Sequence, residues 1–117
     1  MDSIHEGPAL FSLDFLKKHS GGNEQLVREF IRLFINTSED ILEQTRIAIE
    51  KANYPEVARQ MHKIGPGLNY LKISHLGKRV KDLEQAAKSG QDLLIRRIFE
   101  EIEPVLKSCM AQLKTMS

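Results

Sequence analysis

Apolar residues recur at helical spacing along almost the whole chain, and this periodicity constrains the fold more than any other feature. Between residues 57 and 71 the steps between successive apolar residues are 4, 3, 4 and 3. That spacing lines one face of an α-helix. The chain contains no alternating strand pattern and no internal repeat. The residues of this seam are Val57, Met61, Ile64, Leu68 and Leu71.

Capping residues and glycines divide the periodic pattern into five helices. A short first helix over 12–19 ends at two glycines, which favour left-handed termination. The second helix follows an Asn cap at 23 and reaches about residue 52, and the third follows an Asn cap at 53, with Pro55 in its first turn. The fourth is predicted to start at a Ser74 cap and to close at Gly90, and the fifth to cover 91–114.

The other long helices also carry apolar stripes that predict the core. In the second helix Ser38 and Thr45 interrupt the stripe, so we expect burial there to be incomplete. The predicted core positions are Val27, Phe30, Ile31, Phe34, Ile41 and Ala48 in the second helix, Ile73, Leu76, Val80, Leu83 and Ala87 in the fourth, and Leu94, Ile98, Ile102, Val105 and Cys109 in the fifth.

Four amphipathic helices with short connections can bury their stripes only against one another. The prediction is therefore an all-α protein, an antiparallel four-helix bundle with a short additional N-terminal helix. Residues 1–10 are predicted to be a flexible arm, and residues 11–117 to form one helical bundle domain, which suits the 117-residue length.

Composition and charge argue against several classes of function. The chain has 17 Lys and Arg against 16 Asp and Glu, so its balance gives no reason to expect nucleic acid or a membrane as partner. No apolar run approaches 18 residues, and a single cysteine fits a reducing compartment. A cytoplasmic monomer is expected. We expect no bound cofactor and no metal, because His, Cys, Asp and Glu show no ligand spacing.

His62 is the candidate site. At 100° per residue it lies about 140° from the centre of the third helix's seam, so it should face water. On the same face the helix spacing places small or short neighbours, with Gly67 close by, so a partner protein could reach the ring. The predicted surface consists of Ala58, Arg59, Gly65, Pro66, Gly67 and Asn69.

Two less functional interpretations stay open on the residues alone. A solitary surface histidine usually has no role. Gly65 and Gly67 could equally be packing glycines that let the fourth helix lie close to the third. Cys109, on an apolar seam, is interpreted as a buried and unreactive thiol.

Two segments carry a resemblance to a known family. The stretch DILEQTRIAIEKANYPEVARQMHKI places a long helix, a short turn and a second helix with a central histidine, and VKDLEQAAKSGQ follows with Leu83 and Glu84. Over about residues 13–114 the chain resembles the histidine-containing phosphotransfer (HPt) domain family. The resemblance implies that His62 is the phosphoryl acceptor.

The chain departs from the family pattern directly after the histidine. The family usually has H-x-L-K-G, and here the sequence is H-K-I-G-P. Gly65 therefore stands at the family's lysine, which helps offset the phosphoryl charge, and Pro66 stands at its glycine. Lys72 occupies the place of a later glycine. Arg59, Lys63 and Lys72 are the predicted substitutes for charge support.

The resemblance implies a phosphocarrier in a multistep two-component phosphorelay. His62 would accept a phosphoryl group from an aspartate of a receiver domain and pass it on, with the receiver supplying Mg²⁺. The partners would be a response-regulator receiver domain, a hybrid sensor histidine kinase, or both. The chain has no nucleotide-binding glycine loop, so it is not expected to be an autonomous kinase. The alternative is a degenerate bundle that binds a receiver or kinase without phosphotransfer.

Overall fold

The structure, a computed structural model, describes residues 11–117 apart from the side chain of Ser74. The predicted arm at residues 1–10 lies outside the described residues. Five α-helices follow one another, and the described part of the chain contains no strand, so the all-α prediction is confirmed. They are α1 (Asp14–His19), α2 (Glu24–Glu50), α3 (Tyr54–Tyr70), α4 (Ser74–Lys88) and α5 (Asp92–Lys114).

Helices α2 to α5 form the bundle. Helix α3 packs against α2 and α4, and α5 packs against α4 and α2, so the four helices close into a ring. The connections at 51–53, 71–73 and 89–91 are short and reverse the chain, which makes successive helices antiparallel. The short α1 contacts α2. The predicted bundle with an additional N-terminal helix is confirmed.

The three turns of the bundle share one geometry. Each has a central residue with positive φ, and the next N–H donates to a carbonyl five residues back, as Asn53 does to Ala48 at 2.8 Å. This is the Schellman arrangement, which satisfies the last carbonyls of a helix. The central residues are Ala52, Lys72 and Gly90. Lys72 thus adopts the conformation that glycine favours, at the position where the family has a glycine.

Two of the predicted helix caps are confirmed and one is wrong. The Asn23 side chain accepts from the N–H of Leu26 at 3.1 Å, and Asn53 accepts from Glu56 at 3.4 Å. Ser74 is instead the first residue of α4, with Ile73 at the cap position and no side-chain cap. The turn buries Ile73 completely, and the helix starts directly after it.

The seams predicted for α3 and α4 are confirmed, because every one of their residues is buried. In α2 the expectation of incomplete burial at Ser38 and Thr45 is wrong: both are buried, and the Thr45 hydroxyl donates to the Ile41 carbonyl at 2.6 Å. The hydroxyl of Thr45 can enter the core because it bonds back to its own helix, whereas the buried Ser38 hydroxyl has no hydrogen-bond partner among the described residues. Phe30 is only partly buried, at the edge of the core.

The seam predicted for α5 is partly wrong. Leu94 is 37% exposed and Val105 is partly exposed. The face of α5 that is buried is rotated about the helix axis by roughly one residue from the predicted face. The prediction could go wrong because α5 also has apolar residues next to its buried face. Its buried residues are Ile95, Ile98, Phe99, Ile102, Leu106, Cys109, Met110 and Leu113.

The segment before α1 is anchored at the end of α3. The N–H of Ser12 donates to the Leu71 carbonyl at 2.8 Å. Aromatic rings join α1, α2 and α3 at this end, with the Tyr70 ring centroid 5.5 Å from both the Phe15 and the Phe30 centroids. Of the helices described in residues 11–117, none combines the length and apolar character needed to cross a membrane.

Candidate functional site

His62 projects from the middle of α3 into solvent. Its side chain is 82% exposed, so the predicted orientation is confirmed. The apolar seam of α3 holds the helix in the bundle by its opposite face, with Met61 and Ile64 buried beside the histidine. The imidazole is thus presented by a rigid element and remains open to a partner.

A shallow groove between α3 and α4 begins at the histidine. Its volume is about 210 Å³. Two glycines keep it open, because a Cβ built on Gly65 or Gly77 would meet no atom within 4 Å. The lining residues are Met61, His62, Gly65, Pro66 and Asn69 from α3, and Gly77, Val80, Lys81 and Glu84 from α4. The predicted low surface beside His62 therefore exists at Gly65, Pro66 and Asn69.

Glu84 faces the histidine from α4. Its carboxylate Oε2 lies 3.8 Å from His62 Nδ1, within ion-pair range although longer than a hydrogen bond, and its side chain is only 18% exposed. A carboxylate beside Nδ1 favours the tautomer with the proton on that nitrogen, which leaves the lone pair on Nε2. The ammonium of Lys88 forms an ion pair with the same oxygen at 3.3 Å.

Two of the predicted surface residues do not belong to the exposed face. Ala58 is 9% exposed and part of the core, because α2 and α4 cover α3 on both flanks of its seam. A Cβ on Gly67 would lie 2.7 Å from the Phe34 ring. Gly67 is thus a packing glycine, which was one of the two interpretations of the sequence. The group that packs against it is the Phe34 side chain of α2 and not the fourth helix. A Cβ built on Gly65, by contrast, would meet no atom within 4 Å.

The three predicted cations point away from the groove. Arg59 donates from Nε and Nη2 to the two carboxylate oxygens of Glu56, at 2.9 and 2.6 Å. Lys63 lines a separate groove of about 130 Å³ between α2 and α3. The Lys72 ammonium lies 4.3 Å from the centre of the Phe15 ring, a cation–π distance. That these three cations offset the charge of a phosphoryl group on His62 stays a prediction, and the positions of their side chains do not favour it.

Sequence reasoning missed three residues of the groove, namely Gly77, Lys81 and Glu84. All three come from α4, so finding them required the register between α3 and α4. For Glu84 the sequence did contain one indication, because this residue lies in the segment VKDLEQAAKSGQ, where it matches the family pattern.

Among residues 11–117, the other titratable groups form no second candidate site. Within residues 11–117 no three His, Cys, Asp or Glu side chains are placed to hold a metal ion. Burial raises the pKa of the Cys109 thiol to about 11, which makes it a poor nucleophile at neutral pH. The ring of His19 lies against Phe15, with 3.9 Å between the ring centroids.

The family model described as "Hpt domain" matches residues 29–116 of the chain. The chain belongs to the Hpt domain family. Members are phosphocarriers of phosphorelays, not kinases, and they work with receiver domains and histidine kinases. The match includes His62, Glu84 and the whole groove between α3 and α4.

A solved Hpt structure has the same fold. The chain resembles histidine-containing phosphotransfer protein B from Pseudomonas aeruginosa PAO1, with a TM-score of 0.82 at 16% sequence identity, over 93% of this chain and 95% of that one. At this identity the likeness concerns the fold alone. No curated protein sequence gives a significant match.

Proposed function

We propose that His62 accepts a phosphoryl group from an aspartyl phosphate of a receiver domain and passes it to another receiver. The observation that carries this proposal is the 82% exposed imidazole beside the carboxylate of Glu84, on the surface of a chain that belongs to the Hpt family. The protein would then be a cytoplasmic, monomeric relay between receivers or between a hybrid sensor kinase and a receiver.

The transfer needs no proton movement at the histidine. The Nε2 lone pair attacks phosphorus, the N–P bond forms, and the P–O bond to the aspartate breaks with its electron pair leaving on the carboxylate. The Nδ1 proton stays in place, so the phosphorylated ring becomes positively charged. No general base is needed, because Nε2 already has a free lone pair.

Glu84 is a positioning residue in this scheme. Its carboxylate lies on the Nδ1 side, where it stabilises both the reactive tautomer and the positive ring that forms. Its low exposure and its contact with Lys88 restrict its movement. Phosphoryl transfer depends mainly on such positioning and on charge neutralisation.

The receiver would supply the rest of the chemistry, with its acidic pocket and Mg²⁺. This chain contributes an approachable surface, because Gly65 is open and Pro66 and Asn69 are short beside the ring. The second candidate function is a module that binds a receiver without carrying phosphate. The observation that favours it is that neither Gly65 nor Pro66 matches the family residues after the histidine.

One assay separates the two candidates. The protein is mixed with a ³²P-phosphorylated receiver that binds it, in the presence of Mg²⁺, and the label on the chain is tested for acid lability and base stability. We expect such label on the wild type and none on His62→Gln. The matched controls are His19→Gln and His75→Gln, which should retain it.

Two results decide against the proposal. Label that persists on His62→Gln would place the acceptor elsewhere. Absence of label on the wild type, with a receiver whose binding is measured, would favour the binding module.

A further inference from the structure

Lys81 is a cation of α4 that lines the groove beside His62. It is exposed, and within the described part of the chain it forms no ion pair. Its neighbours Arg79 and Lys88 differ in this respect, because Arg79 pairs with Asp82 at 2.7 Å and Lys88 with Glu84 at 3.3 Å. The ammonium group of Lys81 is thus available to an anion in the groove.

The register between the two helices places Lys81 across from Gly65. Helices α3 and α4 run antiparallel, and His62 faces Glu84. Three residues forward along α3 is Gly65, and three residues back along α4 is Lys81, so the two positions face each other. The next step of four reaches Asn69 and Gly77, which also line the groove. The three pairs of facing positions along the groove therefore follow one antiparallel register.

Gly65 leaves the space that a lysine from α4 needs. No atom lies within 4 Å of a Cβ built on Gly65 or on Gly77, so the groove is open on both sides of Lys81. The flexible four-carbon stem of lysine can then turn towards the part of the groove that Gly65 leaves open, next to His62. Of the cations of α3 and its following turn, Arg59 pairs with Glu56 and Lys72 lies over Phe15. The third, Lys63, lines the separate groove between α2 and α3.

We propose that Lys81 neutralises the phosphoryl group on His62, and that a lysine from α4 thereby replaces the charge missing from α3 at Gly65. The inference rests on the proposed function of His62 and names the group that supports it. Glu84 contacts the ring at Nδ1, and Lys81 lies one helical turn further along the groove. The positive ring and the negative phosphoryl group would each have a partner of opposite charge on α4.

A small phosphoryl donor tests this without any partner protein. Phosphoramidate phosphorylates imidazoles directly, with ammonia as the leaving group, and peptide mass spectrometry under non-acidic conditions follows the reaction at each histidine. The variant is Lys81→Gln. The matched control is Lys78→Gln, which removes the same charge from an exposed position of α4 outside the groove.

The rate at His62 should fall about fivefold in Lys81→Gln, the size expected for one screened unit charge near a phosphoryl dianion. It should stay unchanged in Lys78→Gln, and Lys81→Arg, which keeps the charge, should lose less of the rate than Lys81→Gln. Adding Gly65→Lys to Lys81→Gln should restore the rate, since position 65 is open. The loss should shrink at high salt.

The inference is overturned if Lys81→Gln and Lys78→Gln give equal rates, whether both are unchanged or both reduced. It is also overturned if His62 takes no phosphoryl group from phosphoramidate. Failure of the proposed function looks different, because the receiver would then leave His62 unlabelled while phosphoramidate still distinguishes the two lysine variants.

Discussion

Gly65 and Gly67 are two residues apart on α3, but they have opposite environments, and replacing each by alanine tests the packing that positions His62. A Cβ at position 67 would lie 2.7 and 2.8 Å from two atoms of the Phe34 ring. A Cβ at position 65 would meet nothing within 4 Å. Both sites are inside the same helix, but Gly65 directly precedes Pro66, whose ring disfavours a helical residue with a Cβ at the preceding position.

The magnitude follows from these two effects. Alanine is favoured over glycine in a helix by about 1 kcal/mol. Phe34 must move to make room for the new Cβ, and this is costly because its side chain is buried at 6% exposure. Overpacking a core typically costs about 1–3 kcal/mol. For Gly65→Ala the propensity gain and the strain before Pro66 oppose each other, so we expect the free energy of unfolding to change by less than about 1 kcal/mol. In Gly67→Ala the clash should lower it by about 1–3 kcal/mol.

Urea denaturation followed by circular dichroism at 222 nm measures both values. Because only Gly65 precedes a proline, the difference between the variants contains that effect as well as the clash with Phe34. A double-mutant cycle with Phe34→Leu sharpens the test: the smaller side chain should reduce the cost of Gly67→Ala, with a coupling above about 0.5 kcal/mol. Equal stabilisation by both alanines, or no coupling with Phe34, would refute the close packing of α2 against α3 at Gly67.

The remaining predictions concern two titratable groups. Hydrogen bonds from Arg59 and Gln60 lower the pKa of Glu56 from 4.5 to about 2. The ionised Glu56 therefore stabilises the folded state fully above pH 4.5, and this contribution is lost as the pH falls to 2. In Glu56→Gln the free energy of unfolding should depend less on pH between 4.5 and 2. A pH dependence equal to that of the wild type would contradict this. Cys109 is fully buried, with its pKa raised to about 11, so iodoacetamide at pH 8 should label it in urea but not in the native protein; prompt native labelling would contradict its burial.

The sequence predicted the architecture because the strongest signals were local. The seam from Val57 to Leu71 has a strict helical spacing, and polar residues on the other faces left one possible orientation. The Asn23 and Asn53 caps were also readable, since a cap depends on residues within one turn. These local signals suffice to place His62 on the exposed side of α3.

The predictions of burial were wrong where the apolar pattern is compatible with two buried faces, or where a contact decides whether a polar residue is buried. In α5, Leu94 and Ile95 are both apolar, and only packing against α4 and α2 decides which one is buried. Thr45 enters the core because its hydroxyl finds a carbonyl in its own helix. The pairing of Arg59 with Glu56 is different: the two residues are three apart on α3, where side chains are neighbours, so it could have been predicted from the sequence.

The candidate site was predictable for the residues on α3 and not for those on α4. His62, Gly65 and Pro66 follow from one helix and its spacing. Lys81 and Glu84 lie about 20 residues later in the chain, and they reach the groove only through the antiparallel register that the 71–73 turn sets. The cation of the groove is therefore identified only by the packing of two helices.

The most direct measurement is the identity of the nitrogen that carries the phosphoryl group. The protein, labelled with ¹⁵N in its histidine rings, is phosphorylated by a receiver with Mg²⁺, and two-dimensional NMR assigns the modified ring and nitrogen. The account predicts a single phosphohistidine, at Nε2 of His62, with the Nδ1 proton retained beside Glu84. Phosphate on Nδ1 of that ring, or on a different histidine, would contradict it.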